Sequence, residues 1–269
     1  LPVADADADI GRMRGELAAA VREAGALALL TFRTALKSWI KGRSSPVSEA
    51  DLAVDALLRE RLLAIHPAGW LSEETEDDPA RLNENEVWVV DPIDGTRAYL
   101  AGLPDWAISA AFVRFGRPVL GALYAPVTDE LFLAAAGAGA TRNDVPINAT
   151  SGNAIAGARF SATKRRLEVL SAIEPSIREV PRVPSLALRL ARVGMGALDA
   201  TLTAPNSHDW DLAAADLLVH EAGGRLTTLR GETLMYNRPV PVHGALIAAG
   251  ERRHRALLEV IRDRIAELA

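Results

Sequence analysis

The 269-residue chain contains no cysteine. That excludes a disulfide framework, a thiolate zinc site and thiol catalysis, and it fits a reducing compartment. No apolar run is long enough to span a membrane. The opening residues, Leu1-Pro2-Val3-Ala4-Asp5, carry no basic segment of the kind that starts a signal peptide. A cytoplasmic protein with no membrane partner is the expectation. Positive charge is not in excess either. Lys and Arg number 30 against 35 Asp and Glu, a net charge of −5, so electrostatics gives no reason to expect a nucleic-acid polymer as partner. No internal repeat, Walker sequence or Gly-x-Ser-x-Gly elbow occurs, and Gly137-Ala138-Gly139 and Gly194-Met195-Gly196 lack a dinucleotide fingerprint. His66, His208, His220, His243 and His254 show no metal-ligand spacing, and His220 reads as a packed or capping residue.

What remains is an ordinary globular composition, 49% apolar and 24% charged, in a chain long enough to bury a substantial core. Residues 10 to 38 carry Leu17, Val21, Ala24, Ala28, Phe32 and Leu36 at helical spacing. Asp51 to Ile65 predicts a second helix, and Val87–Val90 a short apolar strand. Alternation and turn residues from 106 to 135 predict a three-stranded meander. Beyond residue 150 the pattern predicts a strand at 158–162, a Lys/Arg-rich helix start, a helix at 185–195, and a strand at 198–203. A helix over 211–222 ended by Gly223-Gly224, a strand at 245–249 and a closing helix at 251–268 follow. The expected organisation is α/β, with residues 1–150 and 151–269 as two subdomains packed as one unit.

Residues 88 to 96 read Trp-Val-Val-Asp-Pro-Ile-Asp-Gly-Thr. An apolar strand runs into two carboxylates on a turn set by Pro92 and Gly95. Asp91 and Asp94 can converge there, and two hard anions suit a hard divalent cation such as Mg²⁺. Gly95 and Thr96 then offer backbone N–H groups to a phosphate. Adjacent metal and phosphate sites point to metal-assisted phosphoryl chemistry. Three other acidic elements stand out: Glu49 and Asp51 at a helix start, Glu73-Glu74 after Trp70-Leu71, and Asp209-Trp210-Asp211 opening a helix. Each has a plainer reading. Asp51 and Asp211 suit helix N-termini, and Glu73 to Asp78 could be a solvated acidic run. Lys164-Arg165-Arg166 could be surface or could face an anionic substrate.

Taken in order, these elements resemble the inositol monophosphatase superfamily of metal-dependent, lithium-sensitive phosphatases. The family's Asp-Pro-x-Asp-Gly-Thr turn stands here as Asp91–Thr96, and its Trp-Asp-x-Ala-Ala helix start as Trp210–Ala214. The upstream Glu73-Glu74 pair and Asp51 match as well. The resemblance implies a layered α-β-α-β-α sandwich, often a homodimer. It implies two or three Mg²⁺ ions held by Glu73, Asp91, Asp94, Asp211 and the carbonyl of Ile93. Gly95 and Thr96 would bind phosphate, with Asp94 and Asp211 beside it. Thr96 and Asp51 would activate the attacking water, with Glu73 contributing to catalysis.

The substrate expected is a small phosphate ester. Inositol-cleaving members place a glutamate shortly before the second signature; here that place falls near Thr203-Ala204, and neither is acidic. Ser45-Pro46-Val47-Ser48-x-Ala50-Asp51 and Asn206–Asp211 resemble segments of the bisphosphate nucleotidases. Adenosine 3',5'-bisphosphate is therefore ranked first. Inositol monophosphate and histidinol phosphate are the alternatives, and a catalytically weak binding or regulatory member of the fold is the non-enzyme reading.

Overall fold

A computed structural model describes residues 3–35, 37–41 and 45–269. The chain opens with α1 (Val3–Thr31), a hairpin of β1 (Ser38–Lys41) and β2 (Ser45–Ser48), and α2 (Glu49–Ile65). A seven-stranded sheet follows: β3 (Gly69–Ser72), β4 (Glu86–Asp94), then, after the short α3 (Thr96–Leu100), β5 (Ala107–Arg114), β6 (Arg117–Ala125), β7 (Glu130–Ala135), β8 (Ala140–Arg142) and β9 (Val145–Pro146). Within this sheet β3–β4 is parallel and the other described pairings are antiparallel; the three-stranded meander expected over 106–135 is its β5–β6–β7 part, and β4, β8 and β9 extend it.

The remainder is β10 (Arg159–Ser161), α4 (Lys164–Ile173), β11 (Arg178–Glu179), α5 (Leu186–Gly194), β12 (Ala200–Leu202), β13 (Ser207–His208), α6 (Asp209–Glu221), β14 (Gly224–Thr228), β15 (Val242–His243), β16 (Leu246–Gly250), α7 (Glu251–Ile261) and α8 (Ile265–Leu268). Its five-stranded sheet runs β11-β10-β12-β16-β14.

The elements stack in five layers. α1 and α2 cover one face of the large sheet, and α5 and α6 fill the space between the two sheets. α4, α7 and α8 close the outer face of the small sheet. The apolar rhythm of α1 explains the first interface: Met13, Leu17, Val21 and Ala24 are fully buried against Trp88, Ile108 and Tyr124. The central interface rests on small residues. Ala213, Ala214 and Ala215 are buried, and a Cβ on Gly121 of β6 would sit 3.1 Å from the Ala214 backbone. Helix α6 thus lies close on the sheet.

Several elements differ from expectation. α1 ends at Thr31, and Arg33 adopts a left-handed φ of 62°. Phe32 therefore lies beyond the helix and packs its ring against Tyr99 and Trp106, while Leu36 lies outside the described residues. α6 begins at Asp209, two residues early, because His208 N–H is capped by Asp211. The closing helix is interrupted by a 3₁₀ turn at Arg262–Arg264. His220 is exposed, not packed, with its Nδ1 2.9 Å from Arg225 Nη1.

Candidate active site

The β4 carboxylates converge because the strand is irregular. Asp91 lies opposite Ser109 on β5, and Asp94 opposite Ala107. Three residues on one strand thus match two on the other. In a regular strand, positions three apart face opposite sides. The extra residue restores a common face, as a β-bulge does. Gly95 completes the turn with φ 101°, and a Cβ there would lie 2.9 Å from the Asp105 carbonyl.

Asp211 reaches the same point from α6. One oxygen each of Asp91, Asp94 and Asp211 lie within 4.8 Å of one another. A cleft of about 340 Å³ opens over them, lined by Glu73, Gly95, Thr96, Arg97, Arg182 and Pro184 among others. Burial is the main cause that pushes Asp91 well above the usual carboxylate range, reinforced by the charges of Glu73, Asp94 and Asp211. Burial, then the Asp94 charge, does the same to Asp211. Buried like charges at this spacing need a cation or protons. An all-oxygen set fits a hard divalent ion such as Mg²⁺, so Asp91, Asp94 and Asp211 could hold one.

Asp94 has a further task. Ser185 Oγ donates to its Oδ2 at 2.5 Å, the Ala187 N–H at 2.6 Å, and the Leu186 N–H reaches Oδ1 at 3.3 Å. The N-terminus of α5 therefore grips this carboxylate. These bonds offset, without cancelling, the upward push of burial.

Thr96 Oγ1 lies 3.2 Å from Asp51 Oδ1 and 3.1 Å from the Ile93 carbonyl oxygen. Asp51 Oδ2 accepts from Ser48 N–H at 2.8 Å and from Ser48 Oγ at 2.5 Å. Asp51 is thus both a helix-capping residue and the partner of Thr96. Burial raises its pKa against those hydrogen bonds. Glu73 lies on the same cleft, so the acidic run at 73–78 is not simply solvated surface. Its Asp77 forms a two-pronged pair with the buried Arg81 at 2.6 and 2.8 Å. Lys164 and Arg165 are exposed on α4, and the cationic residues lining the cleft are instead Arg97 and Arg182.

Further contacts emerge only in three dimensions. Asp209 is fully buried; it accepts from the Asn237 N–H at 2.7 Å and sits 2.7 Å from His243 Nε2. Arg81 donates to Asn237 Oδ1 at 2.7 Å and to the Arg238 carbonyl, tying the segment after Glu73 to the start of α6. Arg189 on α5 is buried with its Nε unpartnered. Burial first, then the charge of Arg182, lowers it to about 10, while Asp94 pulls the other way.

The chain matches the model of the inositol monophosphatase family over residues 12–266. It is 32% identical over 232 residues to inositol-1-monophosphatase of Rhizobium meliloti, covering 82% of this chain and 85% of that protein. It is equally 32% identical over 232 residues to Nus factor SuhB of Xylella fastidiosa, covering 82% and 83%. Among solved structures, extragenic suppressor protein suhB of Bartonella henselae superposes with a TM-score of 0.82 at 27% identity, covering 93% of this chain and 98% of that one. Thermotoga maritima IMPase gives 0.79 at 25% identity, over 94% and 97%. The buried carboxylates, the hydroxyl beside them and these matches along the whole fold converge: the chain belongs to the inositol monophosphatase family of metal-dependent phosphatases.

Proposed function

We propose that this phosphatase hydrolyses adenosine 3',5'-bisphosphate to AMP and phosphate, with Mg²⁺ held by Glu73, Asp91, Asp94, Asp211 and the Ile93 carbonyl. One observation carries the choice of substrate: the cleft over the carboxylates is also lined by Arg97 and Arg182. A second phosphate on the leaving group would find cationic partners there. The buried Arg189 adds positive potential behind them. A neutral polyol needs no such partner. It needs acceptors for its hydroxyls, and the place expected for one holds Thr203, whose hydroxyl is already occupied. It donates to the Ala204 carbonyl at 3.1 Å and accepts from the Leu246 N–H at 3.1 Å.

Bound in this set, Mg²⁺ would lower the pKa of a water molecule and offset charge on the phosphoryl oxygens. The chain's own groups do the rest. The N–H groups of Gly95 and Thr96 orient the phosphate. The Thr96 hydroxyl donates a hydrogen bond to Asp51 and accepts one from the attacking water, fixing its lone pair toward phosphorus. As the water–phosphorus bond forms and the ester P–O bond breaks, the water's proton passes through Thr96 to Asp51 and the leaving 3'-oxygen takes a proton from solvent. Asp51 is suited to this, because burial raises its basicity and Ser48 holds it still.

Hydrolysis of inositol 1-phosphate is the second reading, favoured by the name of the Rhizobium meliloti relative. Turnover of the two esters side by side separates them. The proposal expects a higher kcat/KM for the bisphosphate. It also expects Arg182→Ala to raise KM for the bisphosphate by about tenfold, the order of one lost charge-assisted hydrogen bond, with little change for inositol 1-phosphate. A higher kcat/KM for inositol 1-phosphate, unaffected by Arg182→Ala, would overturn it.

A further inference from the structure

Asp55 takes no part in the constellation above, yet it is buried one helical turn after Asp51 on the same face of α2. Its carboxylate accepts Ser72 Oγ at 2.5 Å on one oxygen and Thr75 Oγ1 at 2.6 Å on the other. Ser72 and Thr75 are the residues on either side of Glu73-Glu74. Ser72 Oγ in turn accepts the Glu74 N–H at 3.3 Å, and Thr75 Oγ1 accepts Trp70 Nε1 at 3.2 Å. The Glu73 N–H continues the sheet by donating to the Val90 carbonyl at 3.2 Å. One buried carboxylate therefore pins both ends of the segment that carries Glu73 into the cleft. Asp55 itself does not line the cleft.

We propose that Asp55 is a positioning residue for the metal site, holding Glu73 at the cation through the hydroxyls of Ser72 and Thr75. The proposal rests on the reading of Glu73 as a metal ligand. Without Asp55 the segment keeps its sheet contact at Glu73 N–H but loses its fixed span, and Glu73 must be ordered when the ion binds. The cost falls on metal affinity. Removing the partner that orients a ligand weakens metal binding by about 10–100-fold.

The test is Mg²⁺ binding to the substrate-free protein by titration calorimetry, with folding checked by circular dichroism. Asp55→Asn is expected to raise the Mg²⁺ Kd at least about tenfold. Its kcat at saturating Mg²⁺ should fall far less. Thr75→Val and Ser72→Ala keep Asp55 and should shift Kd in the same direction by smaller factors; they carry the test if Asp55→Asn does not fold. Glu73→Gln should weaken binding in the wild-type background and add little in the Asp55→Asn background, since coupled residues are not additive. Wild-type Kd in folded Asp55→Asn, with Glu73→Gln still damaging, overturns the positioning role alone. Wild-type Kd in Glu73→Gln overturns the ligand reading, and the proposal with it.

Discussion

Asp91→Asn should move stability and metal response in opposite directions. Asp91 is 1% exposed, and its oxygen lies within 4.8 Å of those of Asp94 and Asp211. At an effective dielectric constant of about 20, two unit charges at that distance repel by about 3.5 kcal/mol. The metal-free protein escapes part of this by holding protons, which is what the raised pKa values of Asp91 and Asp211 express. Neutralising Asp91 should therefore recover a fraction, on the order of 2–3 kcal/mol at neutral pH in EDTA. Asn keeps the carbonyl oxygen that accepts the Ile93 N–H at 3.0 Å, so the turn survives. The pH dependence has a definite sign. A carboxyl whose folded pKa is raised holds a proton in the native state that the unfolded chain releases near its ordinary value of about 4. Stability in EDTA then falls as pH rises above about 4, and Asp91→Asn flattens the fall. Mg²⁺ at 100 times its Kd should stabilise the wild type by about 2.7 kcal/mol and the variant by far less. Urea denaturation in EDTA and in Mg²⁺, at about pH 5 and about pH 8, reads all of this. An Asp91→Asn protein that is less stable in EDTA, yet gains as much from Mg²⁺ as the wild type, would refute the reasoning.

Two further outcomes are expected. Thr96→Ala removes the hydroxyl facing Asp51 and should lower kcat by about 10²-fold or more, with Mg²⁺ affinity by calorimetry little changed; lost Mg²⁺ binding with normal chemistry at saturating metal would contradict the water-orienting role. Asp216 is buried, donated to by Tyr236 at 2.9 Å, and raised to about 6 mainly by burial. Its raised folded pKa makes it destabilising as pH rises from about 4 to about 6. Asp216→Asn should stabilise the fold at neutral pH by up to about 3 kcal/mol, and unchanged pH dependence of urea denaturation would count against it.

The parts legible in the sequence are those whose geometry is local. Asp91, Asp94, Gly95 and Thr96 lie within six residues, so an acidic, turn-bearing strand end is legible locally, whereas Asp91 and Asp94 share a face only because of the irregularity between them in β4. The antiparallel meander is legible for the same reason, since each strand pairs with the next. The supporting groups are not local. Asp55 meets Ser72 across 17 residues, His243 meets Asp209 across 34, Ser185 meets Asp94 across 91, and Arg81 meets Asn237 across 156. No periodicity links such pairs. Ser185 did carry a local signal, a hydroxyl before an apolar run, but only as a helix cap; that the same helix end grips Asp94 follows from layer packing. The helical rhythm beyond Thr31 misled because Phe32 is apolar for a different reason, its contact with Tyr99 and Trp106.

The measurement that tests the central claim most directly is phosphate release from adenosine 3',5'-bisphosphate, with Mg²⁺ and with EDTA, by the wild type and by Asp91→Asn. The account predicts release that requires Mg²⁺ and is largely lost in the variant. Release that persists in EDTA, or that survives Asp91→Asn undiminished, would contradict it.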